Sequence, residues 1–367
     1  MQTGFSLQKS PTWDEFTYAR SMTLLRWLAA PLAPLYGAVV RLRNRAFDEH
    51  PERMWRVSRP VVSIGNLTTG GTGKTPVTLF LAQGIQAAGL SCTVVSRGYG
   101  GRREVDPMDV EPSSDPAQTG DEPLLMARAL GDHRVFVGRK RHAAALRSLA
   151  WNPDQDCLLL DDGFQHRALH RDVDLLLLDG VRRWGNGRML PLGDLREPMD
   201  SAGRASALVV TRGSRADRAS MEAWWQRYGS GGPIFFIDFA ITALRRFDTS
   251  QRIEASASDI GPLFAFCALG HPDAFYADLL LAGCPWVGTR SFRDHQRLTA
   301  SDLGTLEALA LRQDARGLVC TEKDAIKLDP DSIKGLQLPL WISEQRVLGG
   351  EALLAYVLQR VVKASEG

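Results

Sequence analysis

The stretch "PVVSIGNLTTGGTGKTPVTLFLAQGIQAAG", residues 60–89, constrains the fold more than any other part of this chain. A short continuous apolar run, a glycine-rich turn and apolar residues at helical spacing follow one another without a break. An apolar run of that length reads as a strand buried on both faces, and strand, loop, helix in that order commits the chain to a layered α/β sheet. It is also the context a phosphate-binding loop requires.

The match to G-x-x-x-x-G-K-[ST] is good at Gly73, Lys74 and Thr75 but places Thr68 where the first glycine should stand. A dinucleotide fingerprint read from Gly71 fails outright, because Pro76 occupies its last glycine position. A phosphate loop works by turning successive backbone N–H groups toward phosphate oxygens at a helix N-terminus. Gly70, Gly71 and Gly73 supply the backbone freedom, and Thr68 satisfies the mechanism if its own dihedrals are ordinary. The expected nucleotide cradle is therefore Thr68, Thr69, Gly70, Gly71, Thr72, Gly73, Lys74 and Thr75. Lys74 is expected on the β/γ-phosphates and the Thr75 hydroxyl on Mg²⁺.

Further apolar runs, "SCTVVSRGYG", "HRVFVG", "DCLLLDDG", "VDLLLLDG" and "SALVVTRG", continue the pattern with helical segments between several of them. They predict an open, mostly parallel α/β sheet of the P-loop NTPase type, with helices on both faces. "DCLLLDDGFQH" delivers two carboxylates, Asp161 and Asp162, to the carboxyl end of a strand, where open sheets bind ligands. Hard cations prefer oxygen ligands, so both are candidates for Mg²⁺. Gln165 and His166 follow the two aspartates directly, as candidates for contact with phosphates or an acceptor and equally as packing residues. After about residue 215 a second, smaller α/β unit begins, closing with "GEALLAYVLQRVVKA". Residues 111–120, "EPSSDPAQTG", read as a mobile surface loop.

Composition narrows the partners. The formal net charge of +2 argues against nucleic acid. The five cysteines are odd in number and lack C-x-x-C spacing, so they read as buried thiols of a reducing compartment. The charge is uneven: Arg20 to Arg59 holds eight arginines against Asp48, Glu49 and Glu52, a local excess of +5. Within it, residues 22–47 are apolar but broken by Arg26, Pro31 and Pro34. That is too interrupted for a membrane span of about 20 apolar residues, and fits either a segment lying in the headgroup region or a helical hairpin on the protein's own core.

Taken in order, "GNLTTGGTGKTP", "SRGYGG", "GDEPLLMA", "VFVGRKR", "LLLDDGFQHRALHRDVDLLLLD", "LPLGDLREP", "ALGHPDAF", "FRDHQRLT" and "CTEKDAIKL" resemble the tetraacyldisaccharide 4'-kinases of the lipid A pathway, from about Pro60 to Leu328. The resemblance implies transfer of the γ-phosphate of ATP to the 4'-hydroxyl of an acylated glucosamine disaccharide 1-phosphate, with Mg²⁺, and it makes a Thr at position 68 unremarkable. It implies Asp121 as the base, although Asp121 also reads as the N-cap of the helix that follows it. Glu122 beside it is implied for the metal or its network. His295 is implied as the partner that raises the basicity of Asp121. It implies Arg97 and Tyr99 on the acceptor side and Arg196 and Glu197 as substrate or network residues, although each also reads as a surface salt-bridge or packing residue. "TEKD", residues 321–324, follows a strand much as base-reading motifs of GTPases do.

The expected organisation is an N-terminal membrane-associating helical segment (residues 1–48), an ATP-binding kinase core (49–215) and a smaller closing α/β domain (216–367). A monomer on the cytoplasmic face of the bacterial inner membrane, peripheral or monotopic, is expected, with the lipid substrate and the membrane surface as partners. The alternative is a regulatory P-loop NTPase switch at the membrane without a small acceptor.

Overall fold

The computed structural model describes residues 31–247, 251–254, 260–294 and 296–365. The strands, in chain order, are β1 (Val61–Asn66), β2 (Cys92–Ser96), β3 (Met108–Val110), β4 (Val135–Val137), β5 (Cys157–Asp161), β6 (Val173–Asp179) and β7 (Ala207–Thr211). Then come β8 (Ile234–Arg246), β9 (Arg252–Glu254), β10 (Leu263–Cys267), β11 (Trp286–Ser291), β12 (Gly317–Thr321) and β13 (Leu340–Leu348). They form one sheet in the order β11-β10-β12-β13-β8-β7-β6-β1-β5-β2-β4-β3, with β9 paired to β8 off that path. The pairings from β8 through β6, β1, β5 and β2 to β4 are all parallel, as the buried apolar runs require.

Strand β6 shows how both faces are covered. Leu175 and Leu177 enter a core with the helix Lys74–Ala87 and the C-terminal helix Glu351–Ser365. Leu176 and Leu178 point the other way, into a core with Met221, Trp224 and Trp225 of the helix Arg218–Tyr228. Successive strand side chains alternate faces, so an unbroken apolar run is what a strand between two helical layers needs.

The second half reverses direction. β13 runs antiparallel to β8, while β10, β11, β12 and β13 are parallel to one another. β8 is 13 residues long: Ile234–Ile237 pair with β7, and Asp238–Arg246 pair with β13. Both half-sheets therefore aim their carboxyl ends at a common cleft beside β8.

Three features differ from the expectations. β3 is an antiparallel edge strand that the apolar pattern did not predict, being too short to carry a signal. Residues 116–119 form a helical turn capped by the Asp115 side chain, so the loop at 111–120 is partly structured. The sheet does not break after residue 215, because the helix Arg218–Tyr228 and the start of β8 pack on the first half.

At the N-terminus, the helix Leu32–Glu49 has Pro31 as its N-cap and Pro34 in its first turn, where a missing N–H costs nothing. The prolines start this helix and do not break it. Residues 22–30 of the apolar segment lie outside the described residues. Ala33, Gly37, Val40 and Asn44 face the protein, and Leu32, Leu35, Val39 and Leu42 stand exposed on another stripe, Leu35 at 62% and Leu42 at 71%. The helix thus packs on the core and still presents an apolar face to its surroundings. No helix among the described residues is long and apolar enough to cross a membrane.

Candidate active site

Gly73 sits at φ +80°, immediately before the helix that Lys74 opens, and a Cβ there would meet the Phe239 ring at 2.2 Å. That helix has no side-chain N-cap, so its first N–H groups are left to a ligand. Thr68 is not among the residues with positive φ; it makes an isolated bridge with Leu195, and the Thr69 N–H donates to the Asp194 carbonyl at 2.7 Å. The first loop position is thus ordinary extended backbone pinned by the "LPLGDLREP" segment, which is why it needs no glycine.

After β5 the chain doubles back over β1. Asp162 takes φ +49°, and the backbone N of Phe164 would lie 2.5 Å from a Cβ at Gly65, so the strand end must be glycine for the crossing to close. The crossing separates the two aspartates. Asp161 is buried and accepts from Thr78 Oγ1 at 3.3 Å and Ser96 Oγ at 3.1 Å. Burial, then the charges of Glu122 and Asp162, push its pKa up to about 7, against Lys74 and the Ser96 hydrogen bond. For Asp162 burial acts in the same upward sense, but Lys74 and Arg196 prevail and hold it below its ordinary value. Lys74 Nζ lies 3.5 Å from Asp162 Oδ1, and Arg196 Nη1 donates to both Asp162 oxygens at 3.0 and 3.1 Å.

These groups line one cleft of about 1380 Å³. Among the expected residues, Thr69, Gly70, Gly71, Thr72, Gly73, Lys74, Thr75, Arg97, Tyr99, Asp121, Glu122, Asp161, Asp162, Gln165, His166 and Arg196 all line it. Thr68 is buried and is not among the residues that line it. Gln165 Nε2 donates to the Asn66 carbonyl at 2.9 Å, and His166 is held neutral, its pKa down to about 3 through burial and the nearby charges of Arg141 and Arg171. His295 lies outside the described residues.

Two expectations are revised. Glu197 does not face the cleft: it is fully buried and accepts from Asn44 Nδ2 at 2.6 Å and Arg204 Nη2 at 2.9 Å, tying the N-terminal helix to the core. Arg196, one residue earlier, lines the cleft and turns to Asp162 instead. Asp121 is the first residue of its helix (Asp121–Leu130), and the N-cap is Gly120 at φ +88°, packed against the Tyr99 carbonyl.

Several more residues line the cleft to which the sequence assigned no site role, Lys323 of the "TEKD" segment excepted. Arg141 is buried, and burial together with Arg97 lowers its pKa to about 10. Arg212 follows β7 and pairs with Asp179. His271 pairs with Arg182 beside Gly70, and Asp294 and Lys323 come from the second half. Most stand just past strand carboxyl ends, which is the signal that would have found them. A separate cluster, Asp109, Glu111 and His133, lies near β3, where Arg147 already pairs with Asp109 at 2.9 Å.

The cradle fits a nucleotide triphosphate: left-handed glycines, an uncapped helix start, a lysine and an all-oxygen set of Thr75, Asp161 and Asp162 suited to a hard cation. The family model described as LpxK, tetraacyldisaccharide-1-P 4'-kinase, matches residues 25–362. The chain belongs to this family. It is 39% identical to a tetraacyldisaccharide 4'-kinase from Chromobacterium violaceum over 306 residues, 82% of this chain and 84% of that protein. It is 35% identical to one from Aeromonas hydrophila, covering 82% and 83%. A crystal structure of LpxK from Aquifex aeolicus in complex with ATP superposes with TM-score 0.71 at 27% identity, covering 92% of this chain and 99% of that one.

Proposed function

We propose that this member of the tetraacyldisaccharide 4'-kinase family transfers the γ-phosphate of ATP to the 4'-hydroxyl of tetraacyldisaccharide 1-phosphate, giving lipid IVA. The observation that carries the reading is the convergence of donor and acceptor groups: the phosphate loop, the Asp161–Asp162 pair and Asp121 line a single cleft roomy enough for both substrates.

Phosphoryl transfer asks a protein for positioning and charge compensation more than for covalent chemistry. The N–H groups of Gly71 to Thr75 and the Lys74 ammonium hold the phosphates and offset their charge. Thr75, Asp161 and Asp162 would hold Mg²⁺, which would supply further charge neutralisation. The low pKa of Asp162 keeps it ionised for that task, with Arg196 orienting it. Asp121, exposed to the cleft at the start of its helix, accepts the proton of the attacking hydroxyl, and His295 assists it. Arg97, Tyr99 and Arg141 orient the acceptor, where two arginines meet an anionic sugar phosphate.

The lipid stays in the bilayer, so the enzyme must meet it there. The apolar stripe Leu32, Leu35, Val39 and Leu42, flanked by Arg41 and Arg45, lies against the cytoplasmic leaflet of the inner membrane in this reading, with the chain peripheral and monomeric. Tyr36 and Arg43 of the same helix reach the cleft, which brings its mouth to the lipid surface.

The test is incubation with γ-labelled ATP, Mg²⁺ and tetraacyldisaccharide 1-phosphate in detergent. Label in the lipid is expected; ATP hydrolysis with unlabelled lipid would instead favour a regulatory switch.

A further inference from the structure

The "TEKD" segment contributes to the site in a way that nucleotide-base recognition does not describe. Thr321 caps its short helix, and Asp324 is turned inward. Asp324 accepts from the Ala268 N–H at 3.1 Å, the Thr321 hydroxyl at 2.7 Å and Lys327 Nζ at 3.0 Å, so it welds the end of β12 to the end of β10. From this fixed platform Lys323 extends the opposite way, across the cleft, and its Nζ donates to Glu122 Oε1 at 3.0 Å. The pair joins residues 201 positions apart, one from each half of the sheet.

The surroundings favour the ammonium. Burial works against the charge on Lys323, but Glu122, Asp294 and Asp121 outweigh it and raise its pKa. Glu122 and Asp121 share the first turn of one helix, whose glycine cap rests on the Tyr99 carbonyl. Whatever fixes Glu122 therefore also fixes the angle at which Asp121 meets an acceptor.

We propose that Lys323 is a positioning residue: its ion pair with Glu122 latches the second half-sheet onto the Asp121 helix, so that Glu122 serves as the anchor of a latch and not as a metal ligand. The latch rests on the kinase reading for its role in turnover, and not for its existence as an inter-half contact. Its chemistry is a charge-assisted hydrogen bond, and a base displaced by about 1 Å loses on the order of a hundredfold in rate.

The experiment compares Lys323→Ala, Lys323→Arg, Glu122→Gln and the Lys323→Ala/Glu122→Gln double variant in the full chain. Lipid phosphorylation, the affinity for a fluorescent ATP analogue, and the Mg²⁺ requirement are measured for each. A distance between spin labels at Leu146→Cys and Leu311→Cys, one in each half, is read in parallel; the native cysteines are all buried. The expected result is a fall in kcat of about ten- to a hundredfold for Lys323→Ala and for Glu122→Gln, with the double variant no worse than either. ATP affinity and Mg²⁺ requirement stay within about twofold, Lys323→Arg recovers much of the rate, and the label distance broadens in both alanine and glutamine variants. Losses that multiply in the double variant, an unchanged label distance, or a Mg²⁺ requirement raised by Glu122→Gln alone would each overturn the latch. Unlabelled lipid with the unsubstituted protein would refute the kinase reading instead, and the label distance would still decide the latch.

Discussion

The carboxyl ends of the two half-sheets meet at one cleft but are built differently. In the first half, β1 and β5 end side by side, so the loop with Lys74 and the turn that sets Asp161 apart from Asp162 meet within the same half, Lys74 reaching Asp162 at 3.5 Å. In the second half, β10 and β12 end in residues that reach outward, His271 toward Arg182 and Lys323 toward Glu122. The first arrangement is preorganised by local backbone geometry, which costs nothing further when substrate arrives. The second depends on how the halves sit together, and suits closure over substrate.

Substitutions can break that contrast. Lys74→Ala and Asp121→Asn are expected to lower the transfer rate most, by about a thousandfold each, with Asp121→Asn leaving affinity for an ATP analogue nearly unchanged. If Asp121→Asn abolished nucleotide binding, the acceptor side would not be separable from the donor side. Glu197→Ala is expected to destabilise the fold by about 3 kcal/mol in denaturant unfolding, because it removes the buried carboxylate that Arg204 and Asn44 share. Nucleotide affinity of the folded fraction should not change; a specific loss of lipid turnover without loss of stability would restore Glu197 to the acceptor site.

Smaller effects sharpen the comparison. Leu35→Glu with Leu42→Glu should reduce partition to anionic vesicles by about tenfold or more, given about 1.5–3 kcal/mol for each large apolar side chain withdrawn from water. An unchanged partition would remove the N-terminal stripe from the membrane contact. Asp161 gives the ligand-free protein a pH signature. Its pKa is raised in the folded state, so its contribution to stability is complete below about pH 4 and is lost as pH rises through about 7. The slope is at most about 1.4 kcal/mol per pH unit, and Asp161→Asn should flatten it in unfolding measured from pH 4 to 8. The smallest effect is expected from His271→Ala, a few-fold in kcat, since its pairing with Arg182 borders the loop without touching the reacting groups.

Much of the site was legible because it is local. The strand, loop and helix from Val61 to Ala87, and the run ending in Asp161 and Asp162, carry their chemistry within contiguous residues whose dihedrals the sequence dictates. Arg196 and Glu197 show the limit. Adjacent in one block, both were expected as substrate or network residues, yet one turns to Asp162 and the other to Asn44 and Arg204. The apolar helix at the N-terminus shows the same limit, because the stripe packed on the core and the exposed apolar stripe are interleaved along one segment.

Hydrophobic runs, glycine positions and spacing act over short distances, so they were enough to specify the parallel α/β layer, the glycine-rich loop and the paired carboxylates. Which distant charges meet is a consequence of how the chain folds back on itself. The reversal at β8 and β13 turns the second half-sheet's carboxyl ends back toward the first, and so brings Lys323 to Glu122. No local pattern encodes that, because the partner of a charge is set by the path of the chain between them.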